Sequence, residues 1–484
     1  MKRIFSIFIA VIITFLLSVP SAAIIPQNSI PTSVLNNILS DYRKALKKGE
    51  SYVSLKQYGI SNSKDILSLY EYFMHINGEQ ASINFGKYSE SYVKIFLDDS
   101  ESGNTLKGVT IEYSERYRKE DGSCDTDRVK KDQELVSDRF RKAKSYVRNS
   151  MSDAEKALVL YDFIITASDY AEELTDPGPR FDPYPSEAYT AVGLLCDGSA
   201  VCAAYAKLYA ILLNESGIEA FTVDSDEMDH EWVMLKIDDK WYHADPTWDD
   251  VIYNKGKTCM SDPNNDDRDI GAVSHEYFLK SDEEIRELEH TSWSCSYSVN
   301  PKDYSTPPDS GNSNAFDDRF FSDKNDAFNC VTKMNYVNGS WYFSDLNSGG
   351  IVRAKYDGDY EIIPLPDKEK AKYCFSYDND LYINTNSIIY RYDTVSGIFE
   401  KIFSIPADSR DNNFYSEIRV FYDELTVITV STSPSESGSG NDSSSFVTNT
   451  YPMQDVSVMK EITDDTSSDN RLTATRDNTL SEPG

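Results

Sequence analysis

A chain of 484 residues has room, at about 150 residues per domain, for roughly three hydrophobic cores, which excludes a single small disulfide scaffold. Its 48 basic and 80 acidic residues leave a net charge of −32, a field that repels the phosphate backbone of nucleic acid and disfavours an anionic membrane surface. With 40% hydrophobic and 12% aromatic residues, 33 tyrosines among them, the composition is that of a mainly folded protein with abundant half-buried β surface.

The first residues read as an address. Lys2 and Arg3, an apolar run from Ile4 to Leu17 broken only by Ser6 and Thr14, then Pro20 and the small Ser21, Ala22 and Ala23 predict a secretory signal peptide at 1–23, cut near Ala23. An uncleaved membrane anchor is the alternative, against which the shortness of the run counts. The expected location is therefore extracellular. Seven cysteines, Cys124, Cys196, Cys202, Cys259, Cys295, Cys330 and Cys374, are an odd number, so at least one thiol of an exported chain has no intramolecular partner. The other six could form three disulfides.

Residues 24–150 read as a small α+β region without a chemical motif: a helix over Ser33 to Lys48, alternating segments Ser91 to Leu97 and Leu106 to Tyr113, and a charged helix over Asp127 to Asn149. Ser152-Asp153-Ala154-Glu155 is a capping box that opens an amphipathic helix ending near Ser168. Five Pro and Gly residues make Glu172 to Tyr189 a loop. Ser199 then reads as the N-cap of a helix apolar on most sides, from Ala203 through Leu213 and stopping at Gly217; such a helix must be buried at the centre of its domain. Strands follow at Trp232–Ile237 and Lys240–Ala244, joined by Asp238-Asp239 as a two-residue turn.

The Pro- and Ser-rich segment within 301–316 is linker chemistry. Beyond it, over 317–430, three similar patches at Gly339–Phe343, Asn379–Ile383 and Asp423–Val427 recur at intervals of 40 and 44 residues, a period resembling β-propeller blades. About three blades do not close a ring, so an open β-meander, a cap on another chain, or a sandwich are the alternatives. From 431 to 484 Ser, Asp and Thr dominate and predict a mostly disordered tail, apart from one strand near Phe446 to Tyr451.

Chemistry concentrates in the middle third. With Ser199 as N-cap, Cys202 occupies the third helical position, where unpaired backbone N–H groups and the positive end of the helix dipole favour a thiolate over a thiol. The plain alternative is a small buried hydrophobe, or half of a disulfide with Cys196. A two-residue turn at Asp238-Asp239 makes paired positions sum to 477, which sets Trp232 opposite Asp245 with His230 one diagonal away on the same face. Met234, Trp241 and His243 share that face; Val233, Leu235, Ile237, Tyr242 and Ala244 form the core face. A three-residue turn would separate the pair. A cysteine at a helix start, a histidine that moves a proton and a carboxylate that orients the imidazole are the parts of nucleophilic acyl transfer, with the Cys202 backbone N–H as first oxyanion donor.

The segments Gly198-Ser-Ala-Val-Cys-Ala-Ala-Tyr-Ala206, Leu212-Leu-Asn-Glu-Ser-Gly-Ile218, His230-Glu-Trp232 and Lys240-Trp-Tyr-His-Ala-Asp-Pro-Thr-Trp-Asp-Asp250 closely resemble the transglutaminase-like, papain-type cysteine superfamily in its secreted bacterial form. Glu276-Tyr-Phe-Leu-Lys-Ser-Asp282, with His290 and Trp293 beyond, resembles the tail of such domains. The resemblance spans Ser152 to Trp293 and implies Cys202, His230 and Asp245 as catalytic triad. It also implies an α+β fold, a papain-like transglutaminase core at 151–300 with the cysteine at a helix N-terminus packed on an antiparallel sheet; the repeat period adds a separate C-terminal all-β repeat region resembling part of a propeller. Two departures stand out: Ala203 and Ala204 replace an acid or amide and a glycine, and Glu231 and Val233 replace the alanine and asparagine that usually flank the tryptophan. The methyl of Ala204 could narrow the approach to the thiol, and the charge of Glu231 could raise the pKa of His230.

Other residues carry weaker signals. Trp232, His243 and Trp248 could contact substrate, against the plainer readings of a structural histidine and core aromatics. Cys202, His230 and Asp245 could hold zinc, but no fourth ligand stands at a typical spacing, and the acidic run Asp262 to Asp269 lacks the glycine and glutamate of a calcium loop. No cofactor or metal is implied. The implied partners are a protein or peptide acyl donor, an amine acceptor where one is used, and a cell-surface or extracellular polymer held by the β repeats. The alternative to an enzyme is an inactive transglutaminase-like scaffold in a secreted binding protein.

Overall fold

The computed structural model describes residues 29–85, 88–99, 105–171, 187–250, 275–295, 334–345, 348–355, 359–405, 413–421, 424–433 and 443–456. The segments expected as a signal peptide, 1–23, and as a linker, 301–316, the acidic run 262–269, Cys259 and Cys330 lie outside them. No helix among the described residues is long and apolar enough to cross a membrane.

The N-terminal part begins with helix α1 (Thr32–Lys48), which stops at Gly49 with φ +69°; the N–H of Gly49 bonds the carbonyls of Ala45 and Leu46. Strand β1 (Tyr52–Ser54), helix α2 (Ser63–Gln80), the hairpin β2 (Ser82–Phe85) and β3 (Tyr88–Ser91), and strands β4 (Val93–Asp99) and β5 (Leu106–Tyr113) follow, with β1, β5 and β4 in one antiparallel sheet. Helix α3 (Thr126–Ser145) is capped by the Asp125 carboxylate and ends four residues before Asn149. This part grips the helix that leads to Cys202. Glu90 accepts the backbone N–H groups of Ala191 and Val192 at 3.0 and 2.9 Å. Arg116 joins buried Asp132 at 2.5 Å to Asp197 at 2.6 Å, and Arg139 donates to the carbonyls of Leu195 and Cys196.

Helix α4 (Asp153–Ala167) opens on the expected capping box, Ser152 with Glu155 in both directions. Strand β6 (Asp169–Tyr170) comes next, then helix α5 (Ala191–Asp197), capped by Thr190 and ended by Gly198 at φ +72°, then strand β7 (Ser199–Ala200) and helix α6 (Cys202–Glu215). Strands β8 (Ala220–Ser225), β9 (His230–Ile237) and β10 (Lys240–Ala244) form an antiparallel sheet in the order β10-β9-β8. Asp238 and Asp239 both have positive φ, +49° and +63°, the geometry of a two-residue turn matched to strand twist. The observed pairs, Lys240 with Ile237 through Ala244 with Val233, keep the expected register. Val233, Leu235, Ile237, Tyr242 and Ala244 therefore face α6 in the main core, while Phe221, Val223, Trp232 and Met234 cluster on the other face with Met228, Trp241 and Trp293. Helix α7 (Asp282–Glu287) starts on a second capping box, Ser281 with Glu284. Its flanks pair with both edges of the sheet, His243 with Lys280 and Asp224 with Ser294.

The C-terminal part is three antiparallel meanders. Strands β11 (Asn335–Val337), β12 (Ser340–Asp345), β13 (Gly350–Ala354) and β14 (Tyr360–Ile363) make the first; β15 (Tyr373–Tyr377), β16 (Asp380–Asn384), β17 (Ile388–Asp393) and β18 (Ile398–Ser404) the second; β19 (Asn413–Phe421), β20 (Glu424–Ser433) and β21 (Ser443–Pro452) the third, followed by helix α8 (Met453–Val456). Each of the three similar sequence patches is the second strand of its sheet. No closed ring of sheets is present among the described residues.

The strand expected near Phe446 to Tyr451 lies within β21, which pairs along the whole length of β20 to Ser433, so the third sheet does not stop at 430. Nor is the repeat region separate: Met334, Trp341, Phe343, Val352 and Ala354 belong to the same core as α4 and α6. Trp341 Nε1 donates to Glu155 at 2.9 Å, and the buried Asp162 of α4 accepts both the Met334 N–H at 2.5 Å and His275 Nε2 at 2.6 Å. An apolar inner face on β12 and β13 had to be covered, and α4 covers it.

Candidate active site

Cys202 is set by backbone geometry. Gly198 turns the chain out of α5, Ser199 and Ala200 pair in parallel with Asp169 and Tyr170, and the Val201 N–H bonds the Ala188 carbonyl at 3.0 Å. Helix α6 then begins at Cys202, with Val201 as a cap that offers no side-chain bond. The expectation that Ser199 is the N-cap is corrected, because its backbone is committed to the short strand pair. Cys202 consequently moves from the third to the first helical position, where its own N–H is among the groups left without an intrahelical acceptor. The cysteine is 9% exposed. Cys124, Cys196 and Cys202 are free thiols, so the three-disulfide expectation gives way to at most two, and a Cys196–Cys202 bridge is not formed.

His230 begins β9, directly after Asp229 at φ +52°. Its Nε2 meets Asp245 Oδ2 at 2.5 Å, and Cys202 stands near enough to the ring to raise its pKa. With Nε2 taken by the carboxylate, Nδ1 is the nitrogen left for the thiol. Burial opposes the imidazolium charge, but the Asp245 carboxylate and the contact with Cys202 outweigh it and push the His230 pKa up to about 10. Asp245, not Glu231, is the main source of that rise: Glu231 alternates to the other face of β9, where burial and Lys207 act on it first and its coupling to His230 is weaker.

Asp245, wholly buried, is held on every side. Its N–H bonds the Tyr277 carbonyl at 3.1 Å, its carbonyl accepts from Tyr161 Oη at 2.7 Å, and Oδ1 accepts the N–H groups of Thr247 and Trp248 at 2.9 and 3.4 Å. Oδ2 takes His230 and also His290 Nε2 at 2.9 Å. Burial alone would raise its pKa; the two histidines reverse this and hold the carboxyl well below the usual carboxylate range.

Of the weaker candidates, Trp232 and His243 are both fully buried, which keeps them from a substrate surface and corrects the expectation of direct contact. Trp232 Nε1 donates to His243 Nδ1 at 3.0 Å, so His243 carries its proton on Nε2, which donates to Asp282 at 2.9 Å. Burial lowers the His243 pKa despite Asp282. These two brace the sheet behind the site. Trp248 is half-buried and lies against His230, with ring centroids 5.4 Å apart. His290 is the residue that sequence reasoning left outside the site. It stands 45 positions from Asp245, and only α7 and its bridges to the sheet bring it back. His230, Asp245 and His290 place their ligand atoms within 4.8 Å of one another, but the spaces between them are spanned by direct hydrogen bonds, a packing that does not suit a metal ion.

The structure thus brings together a cysteine at a helix start, an imidazole bonded to a buried carboxylate, and a three-stranded antiparallel sheet behind them. Residues 141–246 match the family model described as the transglutaminase-like superfamily, so the chain carries a transglutaminase-like domain. Similar solved structures include one described as "a TGase", at 13% identity and TM-score 0.22, covering 32% of this chain and 44% of that one. Another is described as "a Putative Cysteine Protease from Cytophaga hutchinsonii", at 18% identity and TM-score 0.17, covering 32% of this chain and 62% of the other. The chain thus spans less than two thirds of either. No curated protein matches it.

Proposed function

We propose that the protein is an exported thiol enzyme that acts on a peptide amide or a glutamine carboxamide through a thioester on Cys202. The observation that carries this reading is the bond of His230 Nε2 to the buried Asp245 carboxylate at 2.5 Å, on an imidazole that also feels Cys202 at the start of α6. The thiolate adds to the carbonyl carbon, and the Cys202 backbone N–H at the start of α6 faces the developing oxyanion. The His230 imidazolium gives its proton to the leaving nitrogen as the C–N bond breaks, releasing an amine or ammonia and leaving the acyl group on sulfur. Neutral His230 then takes a proton from the acceptor that attacks the thioester, and sulfur leaves. Water as acceptor gives hydrolysis or deamidation and is the less demanding default; a lysine amine gives a cross-link. Asp245 fixes the imidazole in the tautomer this sequence needs. The C-terminal sheets, read as blades of an incomplete propeller, present substrate or hold a surface polymer.

The test supplies glutamine-containing peptides with and without a fluorescent primary amine and follows chain cleavage, ammonia release and amine incorporation by mass spectrometry. Wild type should give at least one of the three, and Cys202→Ala a rate lower by about 10⁴ or more. Equal turnover by Cys202→Ala would sink the assignment, and wild type inactive in all three would favour the scaffold alternative.

A further inference from the structure

His290 has no part in the three-residue mechanism, yet it is fully buried and its Nε2 meets the same oxygen of Asp245 that His230 uses. The ring is fixed at both ends. Nδ1 lies 3.2 Å from the Leu288 carbonyl, and the backbone N–H bonds the Ile285 carbonyl at 3.0 Å, closing the end of α7. Aromatic rings enclose it: Trp248 at 4.4 Å, Trp232 at 4.8 Å and Tyr277 at 5.3 Å between centroids. The titratable groups around it are Asp245 and His230 from the hairpin, Tyr277 from the segment before α7, its neighbour Glu289, and His243 with Asp282 behind the Trp232 ring. A buried carboxylate oxygen that served only to orient His230 would not need a second imidazole.

We infer that His290 is a positioning residue for the thiol site, its Nε2–H holding Asp245 Oδ2 so that the carboxylate orients His230 towards Cys202. The inference rests on the proposed nucleophilic role of Cys202. Among the described residues Oδ1 accepts two backbone donors, one of them long at 3.4 Å, so removing His290 takes away the one side-chain donor besides His230 that holds Oδ2, and the carboxylate orients the His230 ring less firmly. His290 then controls how far into acid the Cys202 thiol stays reactive, although it touches neither sulfur nor substrate.

The experiment measures the alkylation rate of Cys202 by iodoacetamide from about pH 4 to pH 10 in the full chain, following that peptide by mass spectrometry. Four variants accompany wild type: His230→Ala, His290→Gln, His290→Asn and His290→Phe. Glutamine places an amide N–H where Nε2 stands, asparagine falls short by one methylene, and phenylalanine fills the aromatic box with no donor; circular dichroism and melting temperature identify which variants are folded. The half-maximal pH should move up by about one unit in Asn and Phe, the size expected for a lost hydrogen bond to a charged group, and should stay near wild type in Gln. Folded Asn or Phe variants that react as wild type would overturn the role of His290 while leaving the nucleophile intact. A Gln variant that fails alongside Phe despite a native melt would also overturn it, since the donor would then not be what matters. If wild type and His230→Ala both react only near the free-thiol value of about 8.5, the nucleophilic reading itself fails, and the role of His290 fails with it.

Discussion

Trp341 joins the first β-sheet to the domain that carries the cysteine, and replacing it tests whether the two form one folding unit. Its ring is fully buried in the core shared with α4, and its Nε1 donates to Glu155, the capping-box residue of that helix. A tryptophan buries about 150–250 Å², worth roughly 4–6 kcal/mol at about 25 cal/mol per Å², an upper bound because the unfolded chain already hides some of that area. Partial collapse of the site brings the expected loss for Trp341→Ala to about 4 kcal/mol, within the usual range for such a truncation. Trp341→Phe keeps most of the ring and loses the bond to Glu155, so about 1–2 kcal/mol is expected. Native-state hydrogen exchange read by mass spectrometry on peptides from Asp153–Ala167 and Ser340–Asp345 is the assay. Both peptides should lose protection together, by amounts in that order. If β12 exchanges faster in Trp341→Ala while α4 keeps its wild-type protection, the shared core is wrong and the sheet is an independent unit.

Stability should also depend on pH through His230. Its folded pKa is raised to about 10 by Asp245 from an unfolded value of about 6.5, so the folded state holds a proton that the unfolded state gives up. The stabilisation is complete below about 6.5 and is lost as pH rises through 10, at up to about 1.4 kcal/mol per pH unit; urea midpoints of wild type relative to His230→Gln should converge between pH 7 and pH 9.5, and a constant difference would refute the pairing. Arg116→Ala leaves buried Asp132 with only the more exposed Arg128 as a cationic partner and frees Asp197. A loss of about 3 kcal/mol is expected, as for breaking a buried pair, with faster exchange in α5; a loss below about 1 kcal/mol in urea unfolding would contradict it. A Cβ on Gly193 would stand 1.8 Å from the Glu187 carbonyl oxygen. Gly193→Ala must therefore displace the turn whose Ala188 carbonyl receives Val201 N–H, and the expected result is slower Cys202 alkylation at neutral pH along with a lower melting temperature, whereas an unchanged rate would show that this turn does not place the cysteine.

What could be read from the sequence was whatever local chemistry determines. The capping box at Ser152 and Glu155, the Asp238-Asp239 turn and the register it imposes, from Lys240 opposite Ile237 to Ala244 opposite Val233, are short-range, and the structure carries each of them. The start of α6 was misplaced because Ser199 is a good cap by composition, while its actual partner, Asp169, lies 30 residues earlier in a parallel pairing that leaves no periodic trace. His290 was missed as a site residue for the same kind of reason: α7 and the paired segments beside it, not sequence spacing, bring it to Asp245. The patch period located the second strand of each C-terminal sheet, but a period says nothing about what covers a sheet face. That Asp162 and Glu155 of α4 bind Met334 and Trp341 follows only from packing.

The most direct test of the thiol site is Cys202 alkylation at pH 6, comparing wild type with His230→Ala and Asp245→Asn. A thiol paired with an imidazolium should react fast in wild type and at least about tenfold more slowly in His230→Ala, with Asp245→Asn in between, because the ring would keep its place but lose the carboxylate that holds its charge. Equal rates in all three folded proteins would mean that Cys202 is a buried thiol with no general-base partner, and the chemistry assigned to it would be wrong.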